Sequence, residues 1–229
     1  MPRPINVIAI DGPAAAGKTV VGRTLAHRLG FKYLDTGVMY RAIAWLARQK
    51  GISLQDAPAL GELAESSQFS LEGQDSSRVT VGGQELGEEL RAPEISQLAS
   101  QVAAVPAVRR AMVQQQQAMA GAENIVMVGR DIGTVVLPQA DLKLFMTASV
   151  EERARRRWRD LWQQGLKVGL EQVLQETKAR DHRDSTREDS PLIPAEGALI
   201  IDTEDLSVEQ AVDFILERVK AGANPGANQ

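Results

Sequence analysis

Short apolar runs alternate along the chain with longer amphipathic stretches. The apolar runs span residues 5–10, 31–35, 125–128, 142–146 and 199–201. Short runs bounded by turn residues are typical of buried β-strands, whereas the stretches that follow most of them carry apolar residues every three or four positions, as amphipathic helices do. Strands that alternate with helices predict an α/β protein with a parallel sheet.

The predicted helices begin and end at recognisable residues. The first follows residue 18, carries Val21, Leu25 and Leu29 on one face and closes at Gly30. Others are predicted from Thr36, over residues 94–121 with a break at Pro106, from the capping box Ser149/Glu152, over about 169–183, and from the capping box Ser207/Gln210. The polar run Gln114–Gln117 is interpreted as a solvated helix face.

The strand–helix alternation breaks between about residues 53 and 92. There Phe69 and Leu71, and then Val79 and Val81, alternate with polar residues around a turn at residues 73–77. This pattern predicts a small antiparallel hairpin unit inserted into the α/β core.

Composition narrows the class of protein. The 229 residues carry a formal net charge of −4 and 4% aromatic residues, which disfavours a nucleic-acid partner held by bulk charge or by base stacking. There is no cysteine, and no apolar run approaches the length of a membrane span. We expect a soluble cytoplasmic protein without a membrane or nucleic-acid partner.

Residues 12–19 read GPAAAGKT directly after the first predicted strand. A glycine, four residues and then Gly-Lys-Thr allow backbone N–H groups to surround a phosphate, at the positive end of the following helix. Lys18 is expected to reach the outer phosphates, and the Thr19 hydroxyl is a candidate ligand for Mg²⁺. The motif therefore predicts a phosphate-binding loop for a nucleotide.

Three polar clusters follow predicted strands or lie late in the chain, and each contains arginine. They are LDTGVMYR at 34–41, GRDIGT at 129–134 and RDHRDSTR at 180–187. Ligands of parallel sheets bind at the carboxyl edge, and the planar guanidinium suits bidentate binding of phosphate. These clusters indicate a second anionic ligand beside the nucleotide.

Together with the phosphate loop, these motifs resemble the bacterial type of the cytidylate kinase family, in the nucleoside monophosphate kinase group. The stretches LDTGVMYR, SQVAAVPAVR, GRDIGTVVLP and RDHRDSTREDSPL occur here in the family's order. The resemblance covers nearly the whole chain and implies a phosphate-loop kinase with a parallel five-stranded sheet wrapped by helices. It implies one domain over residues 1–229: a core at about 1–52, 122–148 and 196–222, a monophosphate-binding part with a β-rich insert at about 53–121, an Arg-rich lid with its adjoining helix at about 149–195, and a disordered tail at 223–229.

The resemblance also implies the reaction, transfer of the γ-phosphoryl group of ATP to CMP or dCMP with Mg²⁺, in pyrimidine nucleotide metabolism, by a monomer. It assigns catalysis to Lys18, Arg130 and Arg187. The residues that it assigns to ATP binding are Gly12, Pro13, Ala14, Ala15, Ala16, Gly17, Lys18, Thr19, Val20 and Arg157. Acceptor binding falls to Asp35, Thr36, Gly37, Tyr40, Arg41, Ser100, Arg109, Arg130, Asp131, Arg180, Asp184 and Arg187, with the phosphate on Arg41, Arg130 and Arg187, the sugar on Arg180 and Asp184, and the base on Ser100, Arg109 and Asp131.

The sequence departs from the family pattern at two positions near the expected metal. Val20 stands where a second hydroxyl residue is usual, and Val128 where an acidic residue usually precedes Gly-Arg-Asp. Asp11 is the nearest alternative carboxylate for a water ligand of Mg²⁺. The choice between Thr19 and Asp11 stays open on the sequence.

Several other readings compete with these assignments. Arginines between Arg153 and Arg159 have mixed spacing, so that a solvated helix face competes with a lid role. The residue that contacts the base could be Arg109 or its neighbour Arg110.

Two alternative functions remain, a kinase for another small acceptor and a nucleotide-driven switch. The switch is disfavoured because no Asn-Lys-x-Asp element for guanine is found.

Overall fold

The computed structural model describes residues 4–72, 78–121 and 124–222. Its main sheet consists of five parallel strands, β1 (Val7–Asp11), β2 (Lys32–Asp35), β6 (Ile125–Val128), β7 (Leu142–Thr147) and β8 (Leu199–Asp202). Their order across the sheet is β2-β6-β1-β7-β8. The predicted fold class and all five predicted strands are confirmed.

Helices cover both faces of this sheet. They are α1 (Lys18–Leu29), α2 (Thr36–Gln49), α3 (Ala57–Ser66), α4 (Pro93–Val102), α5 (Pro106–Ala120), α6 (Val150–Gln163), α7 (Leu170–Thr186) and α8 (Val208–Ala221). Alternate residues of β1, β2 and β6 enter separate cores. Ala9 and Met127 pack with α2 and α5, whereas Ile10 and Val126 pack with α1 and α8. Burial on both faces explains why the central strands are continuous apolar runs.

The insert contains more regular structure than the sequence predicted. Helix α3 precedes a separate antiparallel sheet of β3 (Phe69–Glu72), β4 (Arg78–Val81) and β5 (Gln84–Glu85). The predicted hairpin pairing is confirmed, with Phe69 opposite Val81. Its turn at residues 73–77 and the predicted disordered tail at 223–229 lie outside the described residues.

The two predicted capping boxes differ in the structure. Ser207 and Gln210 form both reciprocal hydrogen bonds at the start of α8. At the start of α6, the Ser149 hydroxyl accepts from the Glu152 amide, but the Ser149 amide donates to Glu204 at 2.7 Å. A carboxylate from the β8–α8 loop thus takes the place expected for Glu152 and joins this loop to α6.

The glutamine run of α5 is a solvated face only in part. Gln114 and Gln117 are exposed, although the Gln117 amide also donates to the Val136 carbonyl. Gln116 is buried, and the amide of the half-buried Gln115 donates to the Ser67 carbonyl. The prediction is wrong for these two residues, because this side of the helix packs against segments distant in sequence.

Among the helices of the described part of the chain, none combines the length and apolar character needed to span a bilayer.

Candidate active site

The loop between β1 and α1 has the backbone of a phosphate-binding loop. Gly12 is required there, because a Cβ at its φ of +143° would lie 2.0 Å from the Met146 carbonyl oxygen. Ala15 and Gly17 have left-handed conformations, with φ of 59° and 86°. Such alternation turns successive N–H groups toward one concavity, at the N-terminus where α1 begins with Lys18.

Lys18 is almost fully buried inside this loop, and its Nζ donates to the Pro13 carbonyl at 2.6 Å. Burial, and next the positive charge of Arg130, holds the pKa of Lys18 well below its ordinary value. Among the described residues no carboxylate forms an ion pair with Lys18, and Asp35 and Asp11 act on its charge only at longer range. A polyphosphate in the loop would supply the missing negative charge.

Thr19 and Asp35 form the oxygen pair that best fits a magnesium ion. The Thr19 hydroxyl donates to Asp35 Oδ2 at 3.1 Å, while Asp35 Oδ1 accepts from the Gly37 amide and caps α2. Hydroxyl and carboxylate oxygens at the mouth of a phosphate site suit Mg²⁺, which keeps several waters and phosphate oxygens among its ligands. Within the described residues there is no group of three or more His, Cys, Asp or Glu placed to hold a metal. The pair fits a metal shared with phosphates.

Asp11 has a different environment from the one the magnesium hypothesis requires. Its carboxylate is buried, and its two oxygens accept from the amides of Ile132 and Gly133 at 2.8 and 2.7 Å. These amides begin a single π-helical turn, Ile132–Val136, directly after Asp131. Burial raises the pKa of Asp11 to about 6, against the lowering effect of the two amides. Asp11 therefore holds the turn that follows Arg130 and Asp131, and it does not line the cleft.

Asp184 joins two of the predicted acceptor-binding arginines. Arg130 Nε donates to Asp184 Oδ2 at 3.0 Å, and Arg180 Nε lies 4.0 Å from the same oxygen. Burial alone raises the pKa of Asp184, but the two guanidinium groups outweigh burial and hold it below its ordinary value. Burial, and then Arg130, lower the pKa of Arg180 to about 10. The crowded positive charge favours an anionic ligand.

Arg109 and Asp131 form a buried ion pair at another part of the cleft. Arg187 approaches the second oxygen of Asp131 at 3.9 Å, and the guanidinium of Arg109 lies 5.8 Å from the centre of the Tyr40 ring. Arg110, the alternative base reader, is exposed. The geometry therefore favours Arg109 over Arg110.

The five arginines of α6 have different environments. Arg153 is buried, pairs with Asp181 and donates to the Ala14 carbonyl of the phosphate loop. Arg156 donates to the Thr203 hydroxyl and carbonyl at 3.0 and 2.6 Å. Arg155 and Arg159 are exposed, with side chains 52% and 60% accessible. Arg157 lines the cleft, and burial lowers its pKa. A solvated helix face thus describes Arg155 and Arg159, whereas a lid role for the other arginines stays a prediction.

One continuous cleft of about 1260 Å³ brings the predicted residues together. Of the predicted site residues only Gly12 and Pro13 do not line it, and both shape the phosphate loop. The cleft also includes residues that sequence reasoning missed, notably Gln97 of α4, Glu176 of α7 and Leu206 of the β8–α8 loop. No local motif marks these positions, because each reaches the cleft only through the packing of its element.

Comparison with known proteins agrees with this geometry. The family model described as cytidylate kinase matches residues 8–221. A cytidylate kinase of Caldanaerobacter subterraneus subsp. tengcongensis is 50% identical over 213 residues, covering 93% of this chain and 94% of that protein. One of Pelotomaculum thermopropionicum is 49% identical over 217 residues, covering 94% and 96%. The fold is also similar to the crystal structure of an uncharacterized protein from Eubacterium ventriosum, with a TM-score of 0.54, 14% identity and coverage of 96% and 99%. The match over almost the entire chain shows that this protein belongs to the cytidylate kinase family.

Proposed function

We propose that this protein transfers the γ-phosphoryl group of ATP to CMP or dCMP, giving ADP and CDP or dCDP. The observation that carries the proposal is one cleft with Lys18 and the phosphate loop in one part and the buried Arg109–Asp131 pair in another. Several arginines line the same cleft as these two features. Their positive charge suits a site in which two anionic ligands must approach each other. Membership of the family supports the same reaction.

The donor triphosphate binds in the phosphate loop. Backbone amides of residues 14–19 surround its phosphates, and Lys18 contributes a buried positive charge. Arg156 and Arg157 of α6 both line the cleft, and because Arg156 is bound to Thr203, Arg157 is the arginine that reaches the donor. Arg153 supports the loop from outside through the Ala14 carbonyl at 3.3 Å.

The acceptor binds with its phosphate among Arg41, Arg130 and Arg187. Its sugar lies near Arg180 and Asp184, and its base meets Ser100, Arg109 and Asp131. Cytosine presents an amino donor at N4, where uracil presents a carbonyl oxygen. Asp131 is paired through one oxygen with Arg109, and its second oxygen, which Arg187 approaches at 3.9 Å, is the one that would accept from cytosine. Uracil would place two acceptors against each other at this point.

Residues of the cleft stabilise charge and need no general base. The acceptor phosphate, with a second pKa of about 6, is largely ionised at neutral pH. One of its oxygens attacks the γ-phosphorus, and the bond to the β,γ-bridging oxygen breaks with its electron pair leaving on ADP. Lys18 and the arginines reduce the repulsion between the two polyanions and hold them in line.

Magnesium is the cofactor implied by the family, and Thr19 and Asp35 would hold it. When bound, Mg²⁺ would neutralise part of the charge on the donor phosphates. Val20, with its side chain lining the cleft, offers no ligand, and a metal near Thr19 would depend on Asp35 instead.

The organisation of the chain follows the same proposal. Residues of about 53–121 form the monophosphate-binding part with its insert, and residues of about 149–195 form the lid and its adjoining helix, within a single domain. The protein acts as a monomer in the cytoplasm and has no nucleic-acid partner. Light scattering, which measures the molar mass in solution, tests whether it is a monomer.

The test is ADP formation by the purified protein from ATP and Mg²⁺, with CMP, dCMP, UMP, AMP, GMP or no acceptor in parallel. We expect rapid turnover with CMP and dCMP and little with the other monophosphates. Turnover with a different acceptor would support another kinase of this fold. Turnover without acceptor, unchanged by any monophosphate, would support a nucleotide-driven switch and would overturn the proposal.

A further inference from the structure

The segment that follows α7 returns to the end of that helix and closes a short loop. Its first residue, Arg187, lines the cleft, and Leu192 donates its amide to the Asp184 carbonyl at 2.8 Å. Inside the loop, the Arg187 Nε donates to the Ser190 carbonyl. The loop therefore contains a hydrogen bond that holds one of the candidate phosphate-binding arginines.

Ser190 has an unusual backbone conformation. Its φ is 56°, in the left-handed region, and among the described residues Ala15 of the phosphate loop is the one other non-glycine residue with a positive φ. A side chain is disfavoured there, because its Cβ comes close to the following carbonyl oxygen. Ser190 is buried, and its hydroxyl donates to the Asp189 carboxylate at 3.0 Å. Such conformations persist where the surrounding structure imposes them, and they are frequent at ligand sites.

The direction of the Ser190 carbonyl depends on this conformation. Because the peptide group is planar, the backbone angles of Ser190 set the point at which its carbonyl oxygen meets Arg187. The Arg187 Nη2 is buried and has no hydrogen-bond partner among the described residues, and Asp131 Oδ1 lies 3.9 Å from it. One side of the guanidinium is thus held by Ser190, and Nη2 is available to a ligand.

We propose that Ser190 is a positioning residue for the acceptor phosphate: its left-handed backbone places the carbonyl that fixes the Arg187 guanidinium, with Nη2 directed to a phosphate oxygen. This inference rests on the proposed function. Ser190 does not line the cleft, and its effect passes through Arg187. Because the phosphate is common to CMP and UMP, Ser190 affects both acceptors alike and has no part in the choice of base.

The test compares Ser190→Thr with Ser190→Asn. The two replacements are similar in size, but β-branched threonine is strongly disfavoured at positive φ, whereas asparagine adopts it readily. Threonine keeps the hydroxyl, and asparagine lacks it. For Ser190→Thr we expect the KM for CMP and for UMP to rise together by about fivefold, with an unchanged KM for ATP. Ser190→Asn should stay near the wild type for all three nucleotides.

These outcomes separate the backbone of Ser190 from its hydroxyl. If the bond to Asp189 were decisive, Ser190→Asn would be impaired and Ser190→Thr would not, and this result would overturn the inference. Unchanged kinetics of Ser190→Thr, or equal rises in the KM for CMP and ATP, would overturn it as well. Ser185→Thr is the matched control, because Ser185 is exposed on α7 and its hydroxyl donates to the His182 carbonyl, a bond that threonine also makes. It should match the wild type.

A double-mutant cycle with Arg187→Ala tests the route. If Ser190 acts through Arg187, Ser190→Thr should have little further effect on the KM for CMP in an Arg187→Ala background, and additive effects would overturn the route. If Ser190→Thr does not fold, Ser190→Gly serves, because glycine adopts positive φ without steric strain. It should keep the wild-type KM for CMP, and a raised KM in both Ser190→Gly and Ser190→Asn would overturn the inference.

The wild type, assayed alongside, separates the two levels of the argument. Absence of CMP phosphorylation by the wild type contradicts the proposed function. Wild-type activity together with an unaffected Ser190→Thr variant contradicts only the role of Ser190.

Discussion

Arg109 and Asp131 form an ion pair whose side chains are only 3% and 7% exposed. Two ionised groups at this depth must each be compensated, because an unpaired buried charge is far costlier than an exposed one. The pair lies 22 residues apart in sequence and joins α5 to the end of β6. It therefore contributes to the fold as well as to the proposed base site.

Replacement of Arg109 should be much more harmful than replacement of its neighbour. Arg109→Met leaves Asp131 buried without its partner and should lower the free energy of unfolding by about 3 kcal/mol, with loss of CMP phosphorylation. Arg110→Met removes an exposed side chain and should change stability by less than about 0.5 kcal/mol. Urea unfolding and CMP kinetics measure both. Similar effects of the two substitutions would contradict the assignment.

Substitutions at the base and phosphate positions should affect selectivity differently. Asp131→Ala removes the acceptor for cytosine N4, and the preference for CMP over UMP should fall about tenfold or more. Arg187→Ala should raise the KM for CMP and UMP alike, because the phosphate is common to both. Steady-state kinetics of the two variants with CMP and with UMP measures both effects. Equal effects of both variants on the two bases would disprove the base-reading role of Asp131.

ATP binding should be accompanied by proton uptake at Lys18. Burial and Arg130 lower the pKa of Lys18 in the free protein, and donor phosphates should raise it again. At pH values above the lowered pKa, binding therefore takes up a proton, and affinity for ATP falls as the pH rises. Calorimetry of a non-hydrolysable ATP analogue in buffers of different ionisation enthalpy measures this uptake. Lys18→Met is the control and should show none; equal uptake in both proteins would exclude Lys18 as its source.

Acidification should weaken the acceptor site through Asp11. Its raised pKa of about 6 means that the carboxylate gains a proton as the pH falls through this value, and a protonated oxygen no longer accepts from an amide. The turn after Asp131 should loosen, and the KM for CMP should rise about fivefold more than in Asp11→Asn, which does not titrate. The CMP phosphate titrates equally with both proteins. Parallel pH profiles of wild type and variant would contradict this role.

Arg153 should stabilise the protein, whereas Arg155 should not. Arg153→Met removes a bidentate pair with Asp181, at 3.1 and 2.6 Å, together with bonds to the Ala14 and Ala148 carbonyls. Because Asp181 is partly exposed, we expect a loss of about 2 kcal/mol, below the range for a fully buried pair. Arg155→Met should have almost no effect. Thermal unfolding compares the two, and a stable Arg153→Met variant would show that the pair is dispensable.

The sequence alone determined the five strands of the main sheet, most helices, the phosphate loop and the polar clusters. Each depends on residues close together in the chain: an apolar run, a capping residue, or a glycine spacing that sets the local backbone. Strand β6, Ile125–Val128, is an example, because burial on both faces leaves a continuous apolar run. Local patterns of this kind are visible without knowledge of the neighbours.

Only the tertiary structure decided which polar side chains are buried and what they contact. Asp11 meets amides 121 and 122 residues away, and Gln115 meets a carbonyl 48 residues away. The α6 arginines have similar local sequence but different neighbours. Arg153 is buried and supports the phosphate loop, whereas Arg156 binds Thr203 in the β8–α8 loop. Arg157 lines the cleft, and Arg155 and Arg159 are exposed. The local sequence around a polar side chain is the same whether that side chain hydrogen-bonds to water or to a carbonyl of a distant segment. Which of the two partners it has depends on how distant segments pack.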